Sequence, residues 1–306
     1  MHPKSGGVFC YSRQSPLARL FRAILNQRLT CDYFYIMGGK LVEAIIIGTH
    51  ADVQAARLDD VKRFFRRYYA PNNASLVIAG DIDFDRTRAL VERWFGEIPS
   101  GTTVEPVAPP AAILTGVQKK TLTDKVSLPR LYLAWLTPRF YAPGDSALDV
   151  ISSVLTGGKN SRLYKRLVYE MQIAQDVSAF QQSGALGSSF TIVATARSGH
   201  TAAELQNVID EELERLGRDG PTAREVQRAI NQMEVSFYRR MERIGGFGGK
   251  ADQLNAYAFA GGGPDYFAED LARYTSLTPA DVQSAALQWL PADRRVELVV
   301  EPEEKR

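Results

Sequence analysis

The sequence predicts an α+β fold, and three observations near its centre lead to that class. Two adjacent glycines, Gly157 and Gly158, end the element before them, and Asn160 or Ser161 can cap a new helix. Apolar residues then recur at helical spacing, at Leu163, Leu167, Val168 and Met171. From 186 to 197, apolar and polar residues alternate with the period of a half-buried strand. We therefore expect two-layer units of mixed or antiparallel sheet packed with helices.

Length and composition limit the classes of protein to consider. The 306 residues are enough for about two domains. Their 37 basic and 35 acidic residues nearly balance, so nothing indicates a nucleic-acid partner. No apolar run is long enough to span a membrane. Cys10 and Cys31 fit a disulfide, two free thiols or neither role equally well.

The first hundred residues contain readable helices and one strand. A helical stripe at 17–29 follows Ser15 and Pro16, which are usual first-turn residues. A second helix begins near Leu58 and stops at Pro71, and its predicted buried face is Val61, Phe64, Phe65 and Tyr68. The segment 75–79 predicts a strand, and 88–95 predicts a helix that ends at Gly96. Frequent prolines then predict a linker over 101–115.

The second part of the chain alternates strands and helices. The apolar run 131–136 predicts a central strand, and 296–300 predicts the last strand. Thr222 and Glu225 form a capping box for a long helix through Met241. Further helices are predicted at 146–155, 205–217, from the glycine-rich stretch to about 267, and at 281–289. On the second of these, Glu211, Glu212 and Glu214 are predicted to form a solvated face.

An internal repeat connects the two parts. The segments 59–81 and 280–302 share the order helix, proline, turn and strand. Val61 and Val282 are 221 positions apart, and Pro71 and Pro291 are 220 apart. If these are equivalent ends of two units, only the second unit is complete. We therefore expect the truncated remainder of a first half over 1–100, a linker over 101–115 and one complete half over 116–306.

Several ordered motifs carry a family resemblance. The runs DVKRFFRRYYAPNNASLVIAGDIDFDRTRALVERWFGEIPSG, LPRLYLAWLTP, TGGKNSRLYKRLVYEMQIAQDVSA and GPTAREVQRAINQMEVSF resemble the pitrilysin/insulinase family of zinc metallopeptidases, the inverzincins. The match covers about 48–302. The resemblance implies a clamshell of paired α+β halves. An early half carries the zinc motif H-x-x-E-H, and a later half closes over the peptide.

The zinc motif itself is not found in this sequence. His2 and His50 have no partner at ligand spacing. His200 and Glu204 are one helical turn apart without a second histidine, which favours an ordinary surface helix start. We therefore expect no cofactor bound by this chain and no catalytic residue on it. The resemblance places zinc in a catalytic half or partner, and we expect this chain to be inactive alone.

The glycine turn offers the candidate substrate-binding residues. They are Gly157, Gly158, Ser161, Arg162 and Tyr164. Close backbone packing explains the two glycines equally well.

Besides lacking the zinc motif, this sequence departs from the family's pattern at the residues that clamp the substrate. Many catalytic members carry an Arg and, seven residues later, a Tyr on the following helix, which resemble a clamp on the scissile carbonyl. Val168 and Gln175 stand at those positions, and Arg166 and Tyr169 replace them only with a shift in register.

Three hypotheses follow for function. The first is a non-catalytic, peptide-binding wall of a zinc metallopeptidase, which contributes to proteolysis only with a zinc-bearing segment or partner. Its partners would be a peptide or unfolded protein substrate and either a zinc-bearing peptidase or a second copy. The second is a structural or interaction subunit, and the third is a truncated gene product. The compartment is left open, and a periplasmic or extracytoplasmic place fits an intact protein.

Overall fold

The computed structural model describes residues 8–10, 34–37, 40–43, 50–105, 113–260 and 262–303. The predicted helix at 17–29 and Cys31 lie outside this part of the chain. The described residues form two compact units. The first unit draws on residues within 1–34, 43–108 and 236–268, and the second on residues within 35–42, 109–235 and 269–306. The predicted boundaries at 101–115 remain a prediction.

The described elements begin with short strands and helices. In chain order they are β1 (Val8–Cys10), β2 (Phe34–Met37), β3 (Lys40–Glu43), α1 (His50–Ala55), α2 (Leu58–Tyr68), β4 (Ser75–Val77), α3 (Phe84–Phe95), β5 (Gln118–Asp124), β6 (Arg130–Thr137), α4 (Asp145–Thr156), β7 (Ala174–Gln182), β8 (Ser188–Ala196), α5 (Ala202–Asp219), α6 (Ala223–Glu242), α7 (Lys250–Ala260), α8 (Phe267–Thr275), α9 (Pro279–Trp289) and β9 (Val296–Pro302). A 3₁₀ turn covers Pro71–Asn73, and a π-helix covers Tyr164–Glu170. The chain is therefore α+β, as predicted.

The second unit is built on a five-stranded mixed sheet. The strand order is β5-β9-β6-β8-β7, so β6 is central. It pairs antiparallel with β8 and β9, whereas β5 runs parallel to β9. In the register of β6 and β8, Leu133 faces Ile192 and Trp135 faces Phe190. The predicted central strand is therefore confirmed.

The core of this unit lies on one face of β6. Leu131, Leu133 and Trp135 are fully buried, while the residues between them are only half-buried. The indole N–H of Trp135 donates to the Pro291 carbonyl at 2.9 Å, which satisfies its polar atom inside the core. The helices α4, α5 and α9 pack in this unit, and α9 contacts both of the others. Burying one strand face under helices gives the two-layer arrangement that the sequence indicates.

In the first unit, the predicted buried face of α2 is wrong. The described structure buries none of its residues, and Val61 and Phe65 are each 47% exposed. The aromatic rings pack along the helix on one another, with ring centroids 4.7 Å apart for Phe64 and Tyr68. Periodicity correctly predicts which face of α2 is apolar. It does not determine whether another element covers that face.

The internal repeat is confirmed as local structure. The helix α2 is followed by Pro71 and β4, just as α9 is followed by Pro291 and β9. The surroundings differ, because Val282 is fully buried whereas Val61 is exposed. Likewise β9 pairs on both sides, whereas within the described residues β4 pairs with β1. That only the second of the two units is complete stays a prediction.

The sequence analysis misses two strands and the gap between two helices. β5 and β7 are the edge strands of the sheet, and both carry many polar residues, so neither has the apolar run that predicts a central strand. The predicted helix to about Phe267 is wrong in its extent, since α7 ends at Ala260 and α8 begins at Phe267.

In the described part of the chain, none of the helices combines the length and apolarity needed to cross a membrane.

Candidate functional site

The candidate site begins with the backbone of the glycine turn after α4. The N–H of Gly157 donates to the Ser153 carbonyl at 2.7 Å and ends the helix. A Cβ at this position would lie 2.5 Å from that same carbonyl oxygen. Gly158 has φ +94°, and a Cβ there would meet open space. Close packing therefore explains Gly157, whereas Gly158 is required by its backbone angle and faces an open side.

Ser161 fixes the far side of the turn. Its hydroxyl donates to the Gly158 carbonyl at 2.5 Å, and its own N–H reaches the same oxygen at 3.1 Å. Ser161 is fully buried, so its side chain supports the turn from within. Tyr164 is half-buried and starts the π-helix. The Ala179 N–H donates to the Thr156 hydroxyl at 2.9 Å, which attaches the turn to β7.

Arg162 ties the turn to α6. Its Nε and Nη2 donate to the two carboxylate oxygens of Glu225 at 2.7 and 2.9 Å, a bidentate pair. Nη2 also donates to the Gly220 carbonyl at 3.0 Å. Both side chains of the pair are less than one-fifth exposed. Arg162 therefore braces the turn, and its charge is already balanced.

Glu225 has two roles at once. As the sequence predicts, it forms a capping box with Thr222, whose N–H donates to Glu225 at 2.8 Å. Burial alone would raise the pKa of Glu225, but hydrogen bonds from Arg162 and Thr222 lower that pKa to about 2. Glu225 is therefore a permanent anion at neutral pH, and it joins the start of α6 to the turn.

The π-helix and β7 each carry one of the residues at the family's clamp positions. Val168 is half-buried, and Gln175 is exposed at the irregularity in β7. Tyr169 is 74% exposed. Arg166 is bound by Glu211 and, at 2.9 Å, by Glu212. These two ion pairs hold the Arg166 side chain against α5.

This arrangement also corrects a prediction about α5. Glu212 is only 3% exposed, so the expected solvated face at Glu211, Glu212 and Glu214 is wrong at its centre. Arg166 and Arg215 both donate to Glu212, at 2.9 and 2.8 Å. Two arginines compensate the desolvation of one buried carboxylate. A run of three acids in the sequence does not reveal which of them points inward.

A buried polar network between α4 and α8 is missed entirely by the sequence analysis. Arg273 donates to Asp145 at 2.8 Å and to Asp270 at 2.7 Å, and the Tyr274 hydroxyl donates to Asp149 at 2.7 Å. Burial raises the pKa of Asp149 to about 7; the Tyr274 hydrogen bond lowers it, and the nearby Asp145 raises it further. Burial also raises the pKa of Tyr274. More than 120 positions separate α4 from its partners on α8, so sequence spacing gives no signal.

The described residues do not fit a zinc site. Among them, no three His, Cys, Asp or Glu side chains lie together as a metal would require. Glu204 serves Thr201 in a capping box at the start of α5, and the His200 ring lies 3.4 Å from Glu204. The interpretation of this pair as a surface helix start is confirmed.

The five predicted site residues thus form one continuous, braced turn. Its backbone can approach a ligand closely at Gly158, where no side chain intervenes. The charges that brace it are paired within the chain. The turn lies on a two-layer α+β unit, which is the architecture of a peptidase-like domain.

Comparison with known proteins gives the family. The model of the peptidase M16 inactive domain matches residues 55–233, which is more than half of the chain. The chain belongs to the M16 peptidase family, in its inactive-domain part. It is 26% identical over 253 residues to an uncharacterized zinc protease of Streptomyces coelicolor, covering 79% of this chain and 53% of that protein. It is 28% identical over 204 residues to the zinc protease PqqE of Helicobacter pylori, covering 64% and 45%. The chain thus spans about half the length of these relatives.

Solved structures share the fold. A protease from Helicobacter pylori has a TM-score of 0.73 at 22% identity, covering 84% of this chain and 62% of that one. A peptidase M16 inactive domain from Pseudomonas fluorescens has a TM-score of 0.73 at 20% identity, covering 96% and 67%. The predicted resemblance and fold class are confirmed.

Proposed function

We propose that this chain is a non-catalytic half of an M16 zinc protease, which walls a peptide-binding chamber. It contributes to proteolysis only together with a zinc-bearing segment or partner, and its substrate is a peptide or an unfolded protein. The match to the inactive-domain model carries the proposal. The relatives that are named zinc proteases support it, because this chain aligns with only about half of their length.

The glycine turn is the proposed contact with peptide. Gly158 leaves open space beside a backbone that Ser161 and Arg162 hold in place. A rigid backbone loses little entropy when it binds, which favours a preformed wall over an adaptable one. The pairing of Arg166 with Glu212 supports a positioning role, since that guanidinium is held by ion pairs.

Reconstitution with a zinc-bearing half tests this proposal. The chain alone should show no chelator-sensitive cleavage of a fluorogenic peptide. Mixing it with the separately expressed zinc-bearing half of the Streptomyces relative should restore cleavage. The Gly158→Val variant should reduce the restored rate, because valine is strained at φ +94° and fills the open side.

A matched control distinguishes a lost peptide contact in Gly158→Val from a folding defect. Gly187 also faces open space, so Gly187→Val should leave the restored rate unchanged. Chelator-sensitive cleavage by the chain alone would overturn the proposal. So would equal activity of the zinc-bearing half with and without this chain.

A structural or interaction subunit is the second candidate. The exposed apolar residues of α2 favour it, because exposed clusters of this kind often mark protein contacts. In the same reconstitution, a stable complex without restored cleavage would support this candidate over the first.

A further inference from the structure

The helix α2 of the first unit has a structural counterpart in α9 of the second unit. The internal repeat predicts that the two helices correspond at a spacing of 221 positions. Their N-cap residues, Arg57 and Thr278, stand at that spacing. Their C-cap residues, Tyr69 and Leu290, stand at it as well. The two helices can therefore be compared residue by residue.

The face that α9 buries is the face that α2 leaves open. The buried residues of α9 are Val282, Ala285 and Ala286. At the corresponding positions, α2 carries Val61, Phe64 and Phe65. Val61 and Phe65 are each 47% exposed, and Phe64 is half-buried. Because removing apolar side chains from water is favourable, a partner that covers this face would be stabilised on it.

The surroundings of α9 indicate what kind of partner fits. In the second unit α9 contacts α4, α5 and β6. The side-chain amide of Gln283 donates to the carbonyls of Gly217 and Arg218 at 2.9 and 3.1 Å, in the last turn of α5. At the position of Gln283, α2 carries Lys62. A lysine ammonium also donates hydrogen bonds, and its positive charge is favoured at the C-terminal end of a helix.

We propose that the apolar face of α2, with Lys62 beside it, binds the helix pair of a zinc-bearing peptidase half that corresponds to α4 and α5. The inference rests on the proposed function and deepens it, because it names the surface that receives the zinc-bearing partner. A second copy of this chain fits less well, since its own α9 already contacts its α4 and α5. Two phenylalanines at the positions of two alanines require a wider groove in the partner than the one around α9.

Binding of the full chain to such a partner tests the proposal. The partner is the zinc-bearing half of the Streptomyces relative, ended before its own counterpart of α2 so that its groove stays uncovered. Zinc bound by the purified partner verifies its fold, and a partner that holds no zinc alone is co-expressed with the chain. Hydroxyl-radical footprinting follows the ring of Phe65. We expect this ring to react in the chain alone and to lose most of its reactivity in the complex.

Variants of α2 supply the second measurement. Phe65→Glu should weaken the complex at least about tenfold, because it would bury an unpaired charge. Lys62→Glu should weaken it too, since a helix C-terminus repels a carboxylate, whereas Lys62→Gln keeps a donor and should bind as the wild type does. Arg67→Glu is the matched control. It makes the same charge reversal on α2 at the position of Gln288, which is exposed on α9, so binding should not change.

Three results would overturn the inference. Protection of Phe65 in the monomeric chain alone would mean that the chain's own residues cover α2. Self-association that the partner does not displace would make a second copy the occupant. Equal binding by the wild type and Phe65→Glu would exclude this face from the contact.

Restored cleavage distinguishes this inference from the proposed function. A Phe65→Glu chain that restores cleavage as fully as the wild type does would overturn the docking surface alone. A complex that forms through α2 without any cleavage would overturn the proposed function alone.

Discussion

Replacing Asp149 with asparagine should remove a pH dependence from the stability of the second unit. The pKa of Asp149 is raised from 3.8 to about 7 in the folded chain, first of all by burial. The folded state therefore holds this proton more tightly than the unfolded state does. Stability from the protonated group is fully present below about pH 3.8 and is lost as the pH rises through about 7. The asparagine side chain would keep an oxygen for the Tyr274 hydroxyl but would not ionise.

The magnitude follows from the difference between the two pKa values. A difference of about three pKa units corresponds to at most about 4 kcal/mol of unfolding free energy. About two of those units fall between pH 5 and pH 8, which leaves about 3 kcal/mol in the measurable window. Asp149 is not fully buried, and water near the carboxylate reduces the cost of its charge. We therefore expect a loss of about 1.5 to 3 kcal/mol between pH 5 and pH 8.

Urea unfolding at pH 5, 6, 7 and 8 measures this loss. The unfolding free energy of the wild type should fall across the series relative to that of Asp149→Asn. Asp293 is a matched control because its side chain is 82% exposed, so Asp293→Asn should show the wild-type slope. Parallel pH profiles for the wild type and Asp149→Asn would refute the reasoning, since an ordinary carboxylate gives no such difference.

Three further predictions concern the turn and α2. Glu225→Gln should destabilise the chain at pH 7 by about 1–3 kcal/mol; because the pKa of Glu225 is lowered to about 2, the difference should vanish as the pH falls from about 4.5 towards 2 in denaturant titrations. Gly157→Ala should lower the melting temperature in calorimetry because its Cβ meets the Ser153 carbonyl, while Gly187→Ala should not. Phe65→Glu should reduce self-association in sedimentation velocity, because Phe65 is half-exposed on an apolar helix face, and an unchanged distribution would contradict that role for α2.

Sequence patterns predict the structure correctly wherever contacts between residues close in the chain determine it. The capping box of Thr222 and Glu225 follows from a spacing of three residues, and the structure forms it. The central strand β6 follows from its apolar run, and the repeat correctly relates α2 to α9. The glycine turn is predicted as one segment, and the bonds of Ser161 and Arg162 hold it in place. A substrate-binding role for its five candidate residues stays a prediction.

Long-range partners cannot be read from spacing. Asp149 and Tyr274 are 125 positions apart, and neither residue type stands out in its own helix. Glu212 is one of three nearby acids on α5, and it is distinguished by its burial and by its contacts with both Arg166 and Arg215. The edge strands β5 and β7 carry many polar residues and therefore lack the apolar run that predicts β6. In each case, tertiary contacts supply information that local patterns lack.

One face of α6 holds the glycine turn in place. Two of its residues, Glu225 and Gln232, are engaged in fixing the glycine turn. Arg162 and Arg166 are both held by carboxylates, so the charged side chains around the turn are used to brace it. If the chain positions peptides, loosening this turn should therefore weaken the binding of acidic and neutral peptides alike.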